Sequence, residues 1–267
     1  MKFLERIVAS VLLTGMLFTS TAYSQDADEL AKAAQNPLAT MITLPLQANW
    51  NLDAGPFERT FFNLNIQPVI PIPGEKWNII TRTIIPLNSA PDGVSESTFG
   101  LGDTVFQAFF SPNSTGNLTW GVGPVVQVPT SSNPERLGTG KWSVGPAGVL
   151  FYAKGKWTMG GVLSNIWSVG GDGDREDVSF LTLQYFVNYN MGNGWAVGTA
   201  PVVTANWEGD SDNTWTIPWG LQVSKVTRIG KRPVNLLLGY YTNSEEPDNG
   251  ADSQVRFQFN FLFPTGG

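Results

Sequence analysis

Histidine and cysteine are both absent from the 267-residue sequence, so the usual general base, the sulfur nucleophile and the two commonest transition-metal ligands are missing together. A catalytic Ser or activated water leans on such a base, and no Asp or Glu pair recurs at matching depth in the pattern described below. Neither an enzyme nor a cofactor is expected. Gly138-Thr139-Gly140-Lys141-Trp142 has the outline of a phosphate loop, but Glu135 stands where the first glycine is required and no helical pattern follows. The stretch Gly171 to Asp177 is rich in Asp yet lacks the ligand spacing of a calcium loop, and reads as a solvated acidic loop. What remains is recognition by amides, arginines and aromatic rings.

Those groups sit at alternating positions, and the alternation defines the elements that must carry them. In the last segment Val255, Phe257, Phe259, Phe261 and Phe263 take one parity while Gln254, Arg256, Gln258 and Asn260 take the other. Successive side chains of a strand point to opposite faces, so the segment has a greasy face and a wet one. The same pattern recurs at about 42–50, 61–70, 77–86, 99–111, 118–129, 142–153, 157–169, 178–189, 195–207, 215–228, 234–242 and 253–263. Each segment has about the nine to eleven residues, or more, that a tilted strand needs to cross a bilayer. After the first residues no run of eighteen apolar residues occurs, which excludes helical spans. The expected fold is all-β: a closed antiparallel up-and-down transmembrane β-barrel of about twelve strands.

Compartment and topology follow from flanking signals. Lys2 and Arg6 precede an apolar run from Ile7 to Phe18, and Ala22-Tyr23-Ser24 offers small residues for a signal peptidase, so residues 1–24 read as a secretory leader. Residues 25–41 form an N-terminal periplasmic segment in which Asp26 to Gln35 reads as a short helix ended by Asn36-Pro37; it either sits in the periplasmic mouth or is a linker left after cleavage. The barrel occupies 42–263, and 264–267 are a tail. Connections alternate between short ones and longer, more polar ones, as periplasmic turns and outer loops do. Tryptophans mark the strand ends: Trp77, Trp120, Trp157 and Trp195 on the periplasmic side, Trp50, Trp142, Trp167, Trp207 and Trp215 on the outer side, with only Trp219 between. That is the arrangement of aromatic girdles at two headgroup levels. A net charge of −6 and a pI near 4.7 argue against nucleic acid, whose phosphates need clustered Lys and Arg. The expected partners are outer-membrane lipid, lipopolysaccharide, the barrel-assembly machinery and a small-molecule solute.

On this topology the wet parity lines the lumen. Arg82, Asp103, Gln107, Gln127, Gln184, Gln222, Arg256 and Gln258 are the polar candidates for a solute path, and Phe186 and Tyr241 share their parity. Amides outnumber charges, which hydrates a polar solute without strong selection by charge. Inward Ile80, Ile84, Phe109, Phe151 and Ile166 mean either a partly packed lumen or an apolar path. If the hairpin around 87–98 is symmetric, Arg82 and Asp103 face each other and form an ion pair, serving either to fix register or to contact solute.

Several short motifs resemble those of one family of outer-membrane proteins, the MetA-pathway of phenol degradation family. They are Gly100-Leu101-Gly102-Asp103-Thr104, Trp120-Gly121-Val122-Gly123-Pro124, Val128-Pro129-Thr130, Leu137 to Pro146, Asn188-Tyr189 before Gly194-Trp195, and the closing Phe261-Leu262-Phe263-Pro264. The resemblance spans nearly all of the chain after the leader. It implies a barrel linked to uptake of aromatic or other hydrophobic compounds, and carries no catalytic or ligand residues. The readings to be tested are therefore a channel or transporter for small solutes, hydrophobic or aromatic ones included, and a non-conducting structural or adhesive barrel with a packed lumen.

Overall fold

A computed structural model of the chain describes residues 27–113 and 116–264; the leader and the last three residues of the tail lie outside them. The strands are β1 (Ile42–Ala54), β2 (Arg59–Ile66), β3 (Val69–Ile72), β4 (Trp77–Pro91), β5 (Ser97–Leu101), β6 (Thr104–Pro112), β7 (Leu118–Val128), β8 (Lys141–Lys154), β9 (Trp157–Gly171), β10 (Ser179–Gly192), β11 (Trp195–Thr199), β12 (Val202–Asn206), β13 (Trp215–Thr216), β14 (Pro218–Ile229), β15 (Arg232–Asn243) and β16 (Ser253–Phe263). Collinear segments β2 and β3, β5 and β6, β11 and β12, and β13 and β14 each make one span, giving a closed antiparallel barrel of twelve strands. β1 and β16 zip the chain ends together from Ile42↔Phe263 to Leu52↔Ser253. Every predicted span is present. β1 and β4 run past the predicted ends, so the loops after them are shorter than expected.

Two of the four breaks fall at proline, Pro68 and Pro201, and a third, at Ile217, directly precedes Pro218. Proline has no N–H to give a ladder, so the pairing lapses there and resumes beyond. The fourth break is at Gly102-Asp103.

Burial is inverted relative to a soluble protein. Asn49, Gln107, Asn188, Gln222, Arg256 and Asn260 are buried, while tryptophans, leucines and valines of the other parity are exposed. Exposed apolar side chains on a closed barrel face lipid. The girdles form as expected: Trp77 meets Trp120 edge-on at 6.0 Å and Trp157 meets Tyr189 at 5.0 Å at one end, and Trp207 meets Trp215 at 5.4 Å at the other. Lys225 lies over the Trp195 ring at 5.0 Å, a cation at the headgroup level where its charge stays wet. Spans of 11 to 15 residues such as β16 and β9, at about 3.3 Å per residue, exceed what a tilted strand needs to cross about 30 Å of hydrocarbon.

The lumen is packed on one side. Ile80, Phe109, Val125, Ala147, Val149, Val162 and Ile166, from β4 and β6 to β9, form a buried cluster that Leu38 enters from the N-terminal segment. Helix α1 (residues 27–35) lies at the periplasmic end. Its Ala31 packs with Met41, Val226 and Leu262. Gly194 N–H donates to Asp28 Oδ1 at 2.6 Å, Gln35 Nε2 donates to Asn190 Oδ1 at 3.0 Å, and Thr158 donates to Gln35 Oε1. Of the two readings of this segment, the structure takes the first: it sits in the mouth.

Candidate functional site: the lumen cavity

The wall opposite the apolar cluster is a row of amides. Asn88, Asn63, Asn49, Arg256, Gly239, Gln222, Gly198 and Asn188 are successive Cα partners across β4, β2, β1, β16, β15, β14, β11 and β10. Within one row, side chains on the inner face meet side by side. Asn63 donates to Asn88 at 2.7 Å, Asn49 donates to Asn63 at 3.0 Å, and Arg256 Nε donates to Asn49 Oδ1 at 3.2 Å. Beyond Arg256, the Tyr241 hydroxyl donates to Gln222 Oε1 at 2.8 Å and Gln222 donates to Asn188 at 3.2 Å. Gly239 makes the join possible, because a Cβ there would stand 2.9 Å from Tyr241 Cε2.

Arg256 is the one charge in this row and is 4% exposed. Nη1 donates to the Ala200 carbonyl at 2.8 Å and Nη2 to Gln254 Oε1 at 2.8 Å, and the guanidinium lies 4.7 Å from the Tyr241 ring centroid. Ala200 stands at the break before Pro201, outside both ladders, so its carbonyl is open to a side-chain donor. Arg82 is the second cation and makes a parallel use of a break: Nη2 donates at 2.6 Å to Oε1 of Gln67, the residue before Pro68.

Both arginines line one cavity of about 170 Å³, together with Gln47, Gln184, Gln222 and Gln258 on the polar side and Phe109, Phe186 and Val162 on the apolar side. Ala34, Gln35 and Pro37 of the N-terminal segment form its periplasmic floor. Arg256 also lines a second cavity of about 140 Å³, shared with Tyr241 and Gln254, so its guanidinium stands between two lumen spaces. Of the residues read from the sequence as a solute path, Arg82, Gln184, Phe186, Gln222, Arg256 and Gln258 thus meet on one cavity, Tyr241 faces the next, and Gln107 is buried opposite Arg82 in register.

Asp103 and Gln127 lie elsewhere, and the expected ion pair with Arg82 does not form. Asp103 is at the outer end, where Oδ2 accepts from Thr139 N at 2.6 Å and Oγ1 at 2.8 Å, and Oδ1 accepts from Ser131 N at 3.2 Å. Gln127 donates to the same Thr139 hydroxyl at 3.0 Å. Both fasten the loop between β7 and β8. The cause is register: β4 runs to Pro91 and the turn is tight, pairing Leu87 with Leu101, and the irregularity at Gly102-Asp103 adds one more residue before Ile84 meets Val105. Arg82 therefore faces Gln107, and Asp103 is displaced toward the rim. What the sequence reading missed was Ala200, a backbone acceptor; the signal for it was Pro201.

The described ion pairs are at the outer end, Arg136–Asp92 at 2.5 Å and Lys141–Asp177 at 3.3 Å. Asp177 is held below the ordinary carboxylate range by the Ser168 hydroxyl first and by Lys141 next. Arg175 donates to the Gly138 and Pro134 carbonyls at 3.1 and 2.9 Å and ties the two outer loops together.

Among solved structures, the chain is similar to the COG4313 outer membrane channel from Pseudomonas putida F1, at 15% identity and a TM-score of 0.62, covering 84% of this chain and 94% of that one. It is also similar to the NanC porin, at 9% identity and a TM-score of 0.49, with 83% and 98% covered, and to outer membrane phospholipase A from Escherichia coli, at 13% identity and a TM-score of 0.46, with 84% and 90% covered. At such identities the first likeness establishes the fold and the other two add nothing to it. No curated protein sequence matches the chain. The closed barrel, its inverted burial and its two girdles place it in the bacterial outer membrane. The model of one family, described as "Putative MetA-pathway of phenol degradation", matches residues 60–217, more than half of the 267 residues, and the chain belongs to that family.

Proposed function

We propose that the protein is a narrow outer-membrane channel for small solutes, apolar and aromatic ones included. The cavity of about 170 Å³ carries this reading, because its amide wall hydrates polar groups while Phe109 and Phe186 receive a ring. Twelve strands lie between the filled barrels of about eight and the open ones of about sixteen, which suits a constricted path. The fold shared with a protein titled an outer membrane channel and the phenol-degradation family description support the same direction. Catalysis forms no part of the reading, since the chain has no histidine to activate a nucleophile.

One observation favours a second reading, a non-conducting structural or adhesive barrel. Leu38 and α1 pack into the lumen and its mouth, and in such a barrel the acidic outer loops serve contact with cation-bridged lipopolysaccharide. Swelling of proteoliposomes separates the two. A channel swells them in a single-ring solute faster than in a trisaccharide; a correctly folded barrel that admits neither solute is the structural protein.

A further inference from the structure

The cavity between the two walls has a charge balance that the channel reading leaves unused. Among the described residues, Arg82 and Arg256 line it and no Asp or Glu does. Among the described residues neither arginine has a carboxylate partner, since the described ion pairs lie at the outer loops. Arg256 donates only to neutral oxygens, those of Asn49, Ala200 and Gln254, and the described hydrogen bond of Arg82 goes to the neutral Gln67. Neutral acceptors orient a guanidinium and leave its charge uncompensated. A buried charge without a counterion is costly to keep, and inside a membrane such groups mark ion or substrate pathways. The protein is −6 overall, yet its described acidic residues stand outside this cavity.

We propose that the cavity is a binding site for small organic monoanions: the negative group, a carboxylate by preference, is received by Arg82 and Arg256, and an apolar body of about one ring lies against Phe109, Phe186 and Val162. Arginine suits a carboxylate because its planar fork donates two parallel hydrogen bonds to the two oxygens. Size agrees, since a cavity of about 170 Å³ is comparable to one of roughly 150 Å³ that holds a single benzene ring. The amides of Gln184, Gln222 and Gln258 supply further donors around the anion. The N-terminal segment closes the floor, so the anion rests in the lumen before it leaves toward the periplasm. As a statement about passage, this rests on the channel reading; as a statement about binding, it stands alone.

The test uses three ligands of one size and different charge, benzoate, benzyl alcohol and benzylammonium. Each is titrated into the full-length folded protein in detergent, with tryptophan fluorescence or calorimetry as the readout. Benzoate is expected to bind best, and Arg256→Gln and Arg82→Gln each to weaken it by about tenfold or more, the scale of a lost charge-assisted hydrogen bond. Arg256→Lys keeps the charge and is expected to keep the preference for benzoate over benzylammonium, which covers the case in which the glutamine variant fails to fold. In planar bilayers under a potassium chloride gradient, the reversal potential is expected to have the sign of chloride selectivity and to move toward zero in the glutamine variants. Equal binding of the three ligands, preference for benzylammonium, or indifference to both arginines overturns the site. Charge-dependent binding without any current overturns the channel reading and leaves the site standing.

Discussion

Arg256 owes its position to residues that carry no charge. Asn49 holds Nε, the Ala200 carbonyl holds one terminal nitrogen and Gln254 the other. Asn49 itself is 4% exposed and passes a hydrogen bond on to Asn63. Asn49→Ala is therefore expected to destabilise the barrel by about 1–3 kcal/mol, since it strands a buried charged donor, read as a lower urea midpoint with unchanged slope. The residue scale is also where the sequence misled. Parity identified the inward arginines and amides, because alternation is a property of each strand alone. Which of them face each other is a property of two strands and a turn, and the tighter turn after Pro91 together with one extra residue at Gly102-Asp103 exchanges Asp103 for Gln107 opposite Arg82. A second expectation concerns the rim. Asp177 has its proton affinity lowered by Ser168 and Lys141, so its contact with Lys141 is fully present above the ordinary carboxylate range and is lost only as pH falls through the depressed value. Carboxyl NMR should place its midpoint below that of an ordinary Asp, and Lys141→Met should raise it.

Among the elements, the spans were legible and the breaks were not. Alternation over about nine or more residues marked every span and tryptophan marked the ends of several, because both signals are fixed by the bilayer rather than by neighbouring chain. Proline at 68 and 201 carried the information on two of the breaks. Its missing N–H only acquires meaning once the partner strand is known, and the breaks before Pro68 and Pro201 are where Arg82 and Arg256 find acceptors. Helix α1 was legible as a helix, and its seat in the mouth only as one of two readings, since its anchors Thr158, Asn190 and Gly194 are far away in sequence. The twelve spans close without it. Deleting residues 27–35 is accordingly expected to leave a heat-modifiable barrel and to raise the swelling rate of proteoliposomes severalfold; an unchanged rate would mean that the segment does not limit entry.

At the scale of the whole molecule, the packed apolar cluster is built from β4 and β6 to β9, and the amide row runs from β10 through β16 to β2 and ends at Asn88 of β4. The cavity lies between them, with Phe109 of β6 and Phe186 of β10 in its lining beside the amides. The sequence showed both kinds of inward residue and left open whether the apolar ones pack or line a path. In the structure Ile80, Phe109, Val162 and Ile166 pack into the cluster on one side, and Phe109 and Val162 of that cluster also line the cavity. We propose that solute crosses this constriction. Single-channel recording of the refolded chain in a planar bilayer tests it most directly. Small unitary steps, well below those of sixteen-stranded porins, are the result the two-walled lumen predicts; a membrane that stays silent with inserted, heat-modifiable protein would contradict it.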